Sequence, residues 1–198
     1  MSVDQTRDRI VDAALKILLS RGVGKTSLTD VAYEAGVTRV TVHRYCGDKR
    51  GLIRAIIMKI AAIFQTAALG EPTDSFEAID GRVDELGRQL AALPKQNLLE
   101  RLEEINRVYP EIYAEFRAAQ RAAVDRIFYH VLAAATRDQS LRPEVNPEVL
   151  KAIFWASTVG LLENPTLISS NVSLDEIVTT VSEVFRHGIL KSEASGGD

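Results

Sequence analysis

An all-α protein is predicted, with a small head of three helices joined by one long helix to a larger helical body. Three features of the sequence predict it. Apolar residues recur at helical spacing along almost the whole chain, and no stretch shows the sustained two-residue alternation of a half-buried strand. Hydroxyl, Asp or Asn residues stand where that periodicity begins, and Gly or Pro where it ends. Charge is segregated: residues 1–55 hold ten Lys or Arg against six Asp or Glu, a net of +4, and the rest hold 14 against 21, a net of −7.

The balance of 46% hydrophobic and 26% charged residues over 198 positions is that of a folded globular protein, long enough for a small module and a larger one. It argues against disorder, and no apolar run approaches the roughly 20 residues that span a bilayer. Residues 1–9 are polar and carry Asp4 and Asp8 beside Arg7 and Arg9, the pattern of neither a secretory nor a transit signal; a cytoplasmic location without a membrane partner is expected. The single cysteine, Cys46, makes neither an internal disulfide nor a zinc site. No cofactor or metal is expected.

The elements follow in order. A helix over 4–20 carries Ile10, Ala13, Ala14, Ile17 and Leu18 on one stripe and ends at Gly22. Thr26 and Ser27 supply hydroxyls at the start of a short second helix bearing Leu28, Val31, Ala32 and Ala35, which Gly36 breaks. Thr38 caps a third, ending near Tyr45, and Gly47 and Asp48 turn the chain into a long fourth helix over 49–68. Asp74 with Glu77 opens a helix that Pro94 stops near Leu93, and Asn97 starts another to Val108. Pro110 sits in the first turn of a long helix to Arg137, Asn146 and Pro147 open one to Glu163, and Ser173 with Glu176 forms the capping box of the last, to Leu190. Residues 192–198 are expected to be a disordered tail.

The segment from Thr29 to Tyr45 carries the strongest functional signal. Apolar residues at 31, 35, 37 and 42, a small Ala32 and a Gly36 at the turn are what two short helices need to cross closely. With Val37 and Val42 inward, Thr38, Arg39, Thr41, His43 and Arg44 remain on outward or flanking positions. Such a helix suits the DNA major groove, where Arg pairs with guanine and hydroxyls meet phosphates or base edges. The net positive head agrees with a polyanionic partner.

The run Thr26-Ser27-Leu28, Asp30-Val31-Ala32, Ala35-Gly36-Val37-Thr38, Thr41-Val42, Tyr45 and Gly47-Asp48-Lys49 followed by Leu52 resembles the TetR/AcrR family of bacterial transcriptional regulators. Ile10 to Ala14, Leu18 and Gly22 match that family's first helix. The detailed resemblance covers about the first quarter of the chain. It implies that Arg39, Val40, Thr41 and His43 face the groove, and that Thr26, Ser27, Thr38, Tyr45 and Lys49 hold phosphates, Lys49 at a helix N-terminus that itself favours anions. His43 stands where the family usually has Tyr, and Cys46 where it usually has Phe. The implied domains are a helix-turn-helix DNA-binding domain over 1–48 and a ligand-binding and dimerisation domain over 49–191.

In the body, the helix opened by Pro147 is apolar nearly all round, with Ala152, Ala156 and Gly160 at four-residue spacing as a strip of small side chains. Together with Ile177, Val181 and Phe185 of the last helix, this strip is expected to form half of a four-helix homodimer interface, as the resemblance also implies. Completion of the monomer core is the other reading of the same residues. Tyr109, Tyr113, Phe116, Phe128 and Trp155, with Tyr129 and His130, are candidates to line a mostly apolar cavity for a small-molecule effector; plain core is again the alternative.

Two other function classes stand beside a regulator. An enzyme is not expected: His43, His130 and His187 are far apart, and HExxH, GxSxG, a glycine-rich phosphate loop and CxxC are all absent. Glu100, Glu103, Glu104, Glu111 and Glu115, mixed with Arg101, Arg107 and Arg117, read as solvated helix faces. A helical protein-interaction domain without DNA binding is separated from a regulator by whether salt steeply weakens binding to duplex DNA. The expected whole is a repressor that leaves a pseudo-palindromic operator when an effector binds.

Overall fold

The computed structural model describes residues 3–93, 98–170 and 172–189, and among them every regular element is helical. The first helix, α1 (Val3–Lys25), bends at Gly22, whose backbone (φ 80°, ψ 173°) leaves the helical region before a last turn. Three short connections follow, each opened by the side chain that the sequence offers. Ser27 Oγ accepts from the Asp30 amide at the start of α2 (Leu28–Glu34), and Thr38 Oγ1 from the Thr41 amide at the start of α3 (Arg39–Cys46). Asp48 accepts from the Gly51 amide at the start of α4 (Lys49–Ala67). Each cap occupies an amide that has no partner within its own helix and contributes about 1 kcal/mol.

The body consists of α5 (Phe76–Ala91), α6 (Leu98–Val108), α7 (Pro110–Arg137), α8 (Pro147–Thr158), α9 (Pro165–Ser169) and α10 (Leu174–Ile189). Helix α4 is the strut between head and body. Leu52, Ile53, Ile56, Ile57 and Ile60 are all fully buried, and because adjacent positions are both inward, α4 packs on more than one side. One continuous core runs from Ile10 and Leu18 of α1 through α4 to Phe116 of α7 and Ile177 of α10. Bidentate pairing of Arg54 with Glu115 (2.9 and 2.7 Å) and Arg50 with Glu111 (3.0 Å) ties α4 to α7. These pairs are exposed and worth at most about 1 kcal/mol each, so the shared core carries the connection. Among the described residues, no helix is long and apolar enough to cross a membrane.

Three expectations change. Ser75, not Asp74, caps α5 by accepting from the Ala78 amide. Asp74 instead accepts from the Glu71 amide (3.0 Å) and pairs with Arg82 (3.0 Å), and the Glu71 amide chiefly holds its carboxyl below the usual range. The helix opened by Asn146 and Pro147 does not reach Glu163: α8 stops at Thr158, a 3-10 turn spans Gly160–Glu163, and Asn164 caps the unanticipated α9. At that break stands Arg117, which is not on a solvated face but buried; its Nη1 donates to the Val159 carbonyl (3.1 Å) and to Gln120 Oε1 (3.0 Å), and its Nη2 pairs with Glu163 (2.8 Å). A buried guanidinium needs such acceptors, and it takes one from a helix end. The stop at Pro94, the start at Asn97, the end at Leu190 and the tail 192–198 lie outside the described residues.

Candidate nucleic-acid interface

The turn between α2 and α3 is built by hydrogen bonds that close α2. The Val37 amide donates to the Ala32 carbonyl (2.9 Å) and the Gly36 amide to the Tyr33 carbonyl (3.2 Å), a Schellman closure with Gly36 at φ 62°. That left-handed backbone is costly for a side chain and free for glycine. Val31, Ala32, Ala35 and Val42 are buried where α2 and α3 meet. With Val42 inward, α3 turns Arg39, Val40, His43 and Arg44 to solvent; Thr41 is half-buried, and no acidic residue lies on this helix. The Arg44 guanidinium sits over the Tyr45 ring, 5.1 Å from its centroid, so both are pre-positioned at one edge. The outward groups are donors and one apolar contact, the set that reads base edges in a major groove.

Around this helix the structure sorts the phosphate candidates. Thr38 is exposed, and its hydroxyl caps α3 while lying 2.9 Å from the Thr41 hydroxyl. Lys49 donates from Nζ to the Gly24 carbonyl (3.0 Å), which holds its ammonium beside the start of α2. Ser27 is half-buried, with a hydroxyl that accepts from the Asp30 amide and donates to the Asp30 carboxylate. Thr26 is a correction: it is fully buried, and its hydroxyl donates to the Gly22 carbonyl (2.8 Å), so it braces the kink of α1 and does not face phosphate. Cys46 is half-buried against the core, where burial pushes its thiol pKa up, so the site usually filled by an aromatic ring is filled by a smaller apolar group. Tyr33 was missed. It is 90% exposed on α2, and the signal was available: a large ring at an outward position among Val31, Ala32 and Ala35.

In the body, α4, α5, α7, α8 and α10 line an apolar cavity of about 110 Å³. Of the five aromatic candidates only Phe128 lines it; Phe154 and Phe185 stand beside it, their rings 5.3 and 5.0 Å apart in the sequence Phe128, Phe154, Phe185. The other four are corrections. Phe116 is solid core behind Phe64, Tyr113 packs beside Phe116, and Tyr109 is the half-buried residue that precedes α7. Trp155 faces away, donating from Nε1 to Asp125 (2.8 Å) under the Arg121 guanidinium. Tyr129 is exposed and His130 buried outside the lining; burial, then Arg126 and Arg82, holds the His130 pKa below its ordinary value.

The outer side of α8 and α10 is apolar and unpartnered: Val149, Ile153 and Val184 are 56, 52 and 64% exposed. Ala152, Ala156 and Gly160 are also exposed, and Ala156 lines a groove there with Ile153, Val184, Val181 and Phe185. Val181 and Phe185 therefore wall the groove on one side and the cavity on the other. Ile177 is a correction, since it is buried and lines the cavity and not this groove.

Comparison with known proteins agrees with this geometry. The family model described as bacterial regulatory proteins, tetR family, matches residues 10–56. The chain is 29% identical over 153 residues to the HTH-type transcriptional repressor LfrR of Mycolicibacterium smegmatis, covering 77% of this chain and 75% of that one. It is 26% identical over 183 residues to the HTH-type transcriptional regulator TtgR of Pseudomonas putida, covering 86% and 84%. A solved transcriptional regulator from Saccharomonospora viridis, described in complex with choline, has the same fold at 17% identity, with a TM-score of 0.63 over 95% of this chain and 99% of that one.

Proposed function

We propose, on the premise that this chain belongs to the TetR family of bacterial regulatory proteins, that it represses transcription as a cytoplasmic homodimer and leaves its operator when a small molecule enters the body cavity. Membership makes it a DNA-binding transcriptional regulator and not an enzyme. The observation that carries the rest is the exposed face of α3, where Arg39, Val40, His43 and Arg44 stand outward while Val42 is fully buried behind them. We assign residues 1–48 to reading DNA and 49–191 to sensing and dimerisation. Val40 and Thr41 contact base edges beside Arg39 and His43, and Thr38, Tyr45 and Lys49 hold phosphates, with Ser27 contributing through the start of α2.

A second copy covers the apolar face of α8 and α10, through Ala152, Ala156 and Gly160 and through Val181 and Phe185 at the base of the groove. The two recognition helices then lie roughly 34 Å apart, one turn of B-DNA. Because Val181 and Phe185 belong to both cavity wall and groove, a guest that moves them changes the subunit contact and hence that spacing. Effector and operator must weaken each other's binding by the same factor.

The test is titration of duplex DNA from beside the protein's own reading frame at several salt concentrations. Arg39→Ala is expected to cost about 1 to 3 kcal/mol and to relax preference at one base pair. Lys49→Ala should weaken all sequences alike and flatten the salt slope by about one. Unchanged selectivity in the first variant, or altered selectivity in the second, reverses the corresponding role. Binding that ignores salt would return the chain to the class of protein-interaction domains.

A further inference from the structure

The hydrogen-bonding groups of the cavity are unevenly divided, and the division points to the class of its guest. Its wall is hydrocarbon apart from Asp80, Thr158, Ser182 and Arg186. The Thr158 hydroxyl donates to the Phe154 carbonyl (2.7 Å) and the Ser182 hydroxyl to the Val178 carbonyl (2.8 Å), so each leaves a guest only lone pairs. Four of the five N–H groups of Arg186 are committed too. Its Nε and Nη2 donate to Asp80 Oδ1 (3.2 and 2.7 Å), Nη2 also reaches Asp84 (3.4 Å), and Nη1 pairs with Glu183. Asp80 Oδ2 takes none of these bonds. Three carboxylates surround one guanidinium, so the cluster is net negative, and apart from one Nη1 hydrogen of Arg186 what the wall has left to offer is acceptors.

We propose that the effector is a compact lipophilic amine, its hydrocarbon body among Phe128, Phe154 and Phe185 and its protonated nitrogen donating to Asp80 Oδ2. An ammonium supplies both the donor and the positive charge that this cluster lacks. A carboxylate would have to draw Arg186 from its acids and then lie against the like charge of Asp80, with the half-exposed Asp84 and Glu183 close by. The volume of about 110 Å³ is below the roughly 150 Å³ of an apolar cavity that holds benzene, so the guest is a short alkyl chain that carries the nitrogen. This inference rests on the cavity being the effector site.

The test uses three probes of nearly equal shape, propylamine, propanol and propanoate, titrated calorimetrically into the full-length protein and into its operator complex. The amine is expected to bind at least about tenfold tighter than the alcohol, as a charge-assisted hydrogen bond provides. The propanoate is expected to bind weakest, and only the amine to release DNA at low concentration. Asp80→Asn should weaken the amine far more than the alcohol until the two bind alike, and the alcohol binding that remains reports that the cavity persists. The wild-type ranking decides the matter even if that variant fails to fold. Tightest binding by the propanoate overturns the amine class and leaves the cavity as effector site. An amine advantage that survives Asp80→Asn overturns the role of Asp80. If none of the probes binds, cavity and inference fall together; if the amine binds without releasing DNA, the effector role falls and the ligand class stands.

Discussion

Gly51→Ala is expected to destabilise the protein by about 3 kcal/mol, the upper end of what overpacking costs. Gly51 lies in the first turn of α4, where a Cβ would stand 1.9 Å from the Cys46 carbonyl oxygen and 3.1 Å from its carbon. That oxygen belongs to the backbone at the end of α3 and has no rotamer by which to retreat, so the two helices must separate. Alanine favours a helix by roughly 0.5 to 1 kcal/mol over glycine, which opposes the clash but does not match it. Separation also tilts the helix that bears Arg39 and His43, so operator affinity should fall with stability. Denaturant midpoints and operator titration measure the two effects. An unchanged midpoint would mean that α3 and α4 do not meet at this distance.

The double variant Ile153→Glu, Val184→Glu is expected to yield a monomer whose operator affinity is lower by about 1,000-fold or more, the usual gap between specific and non-specific binding. Both positions are more than half exposed in the single chain, so a carboxylate there costs the fold little. Against a second copy, each would bury like charges in an apolar contact with nothing to pair them. Sedimentation gives the assembly state, and titration of a full operator gives the affinity. A variant that remains dimeric would move the subunit contact to another face.

The head was legible almost to the residue because its signals are local. Ser27, Thr38 and Asp48 each cap the helix that follows them, and Gly36 closes α2 through bonds that span five residues. Short-range steric and hydrogen-bonding rules suffice for that. The reading failed where a residue served a distant neighbour. Thr26 stands next to a true cap yet turns inward to Gly22, and Gly51 looks like an ordinary helix position until α3 is laid against it. Arg117 sits among acidic residues in the sequence but meets Val159 and Glu163 from across the bundle.

The body shows the same boundary more sharply. Helical periodicity marks Phe116, Phe128, Phe154 and Trp155 as apolar without saying whether each meets solid core, a cavity or solvent, since all three satisfy the same spacing. Phe116 met core, Phe128 and Phe154 the cavity, and Trp155 a surface aspartate. The amino-acid sequence alone determined the all-helical class, the turn geometry of the head and the outward face of α3, because those depend on contacts within a few residues. Tertiary structure alone decided where the body is hollow, that Arg186 is spent on carboxylates and that α8 and α10 share a bare apolar face, because each is set by how helices far apart in the chain come to lie side by side.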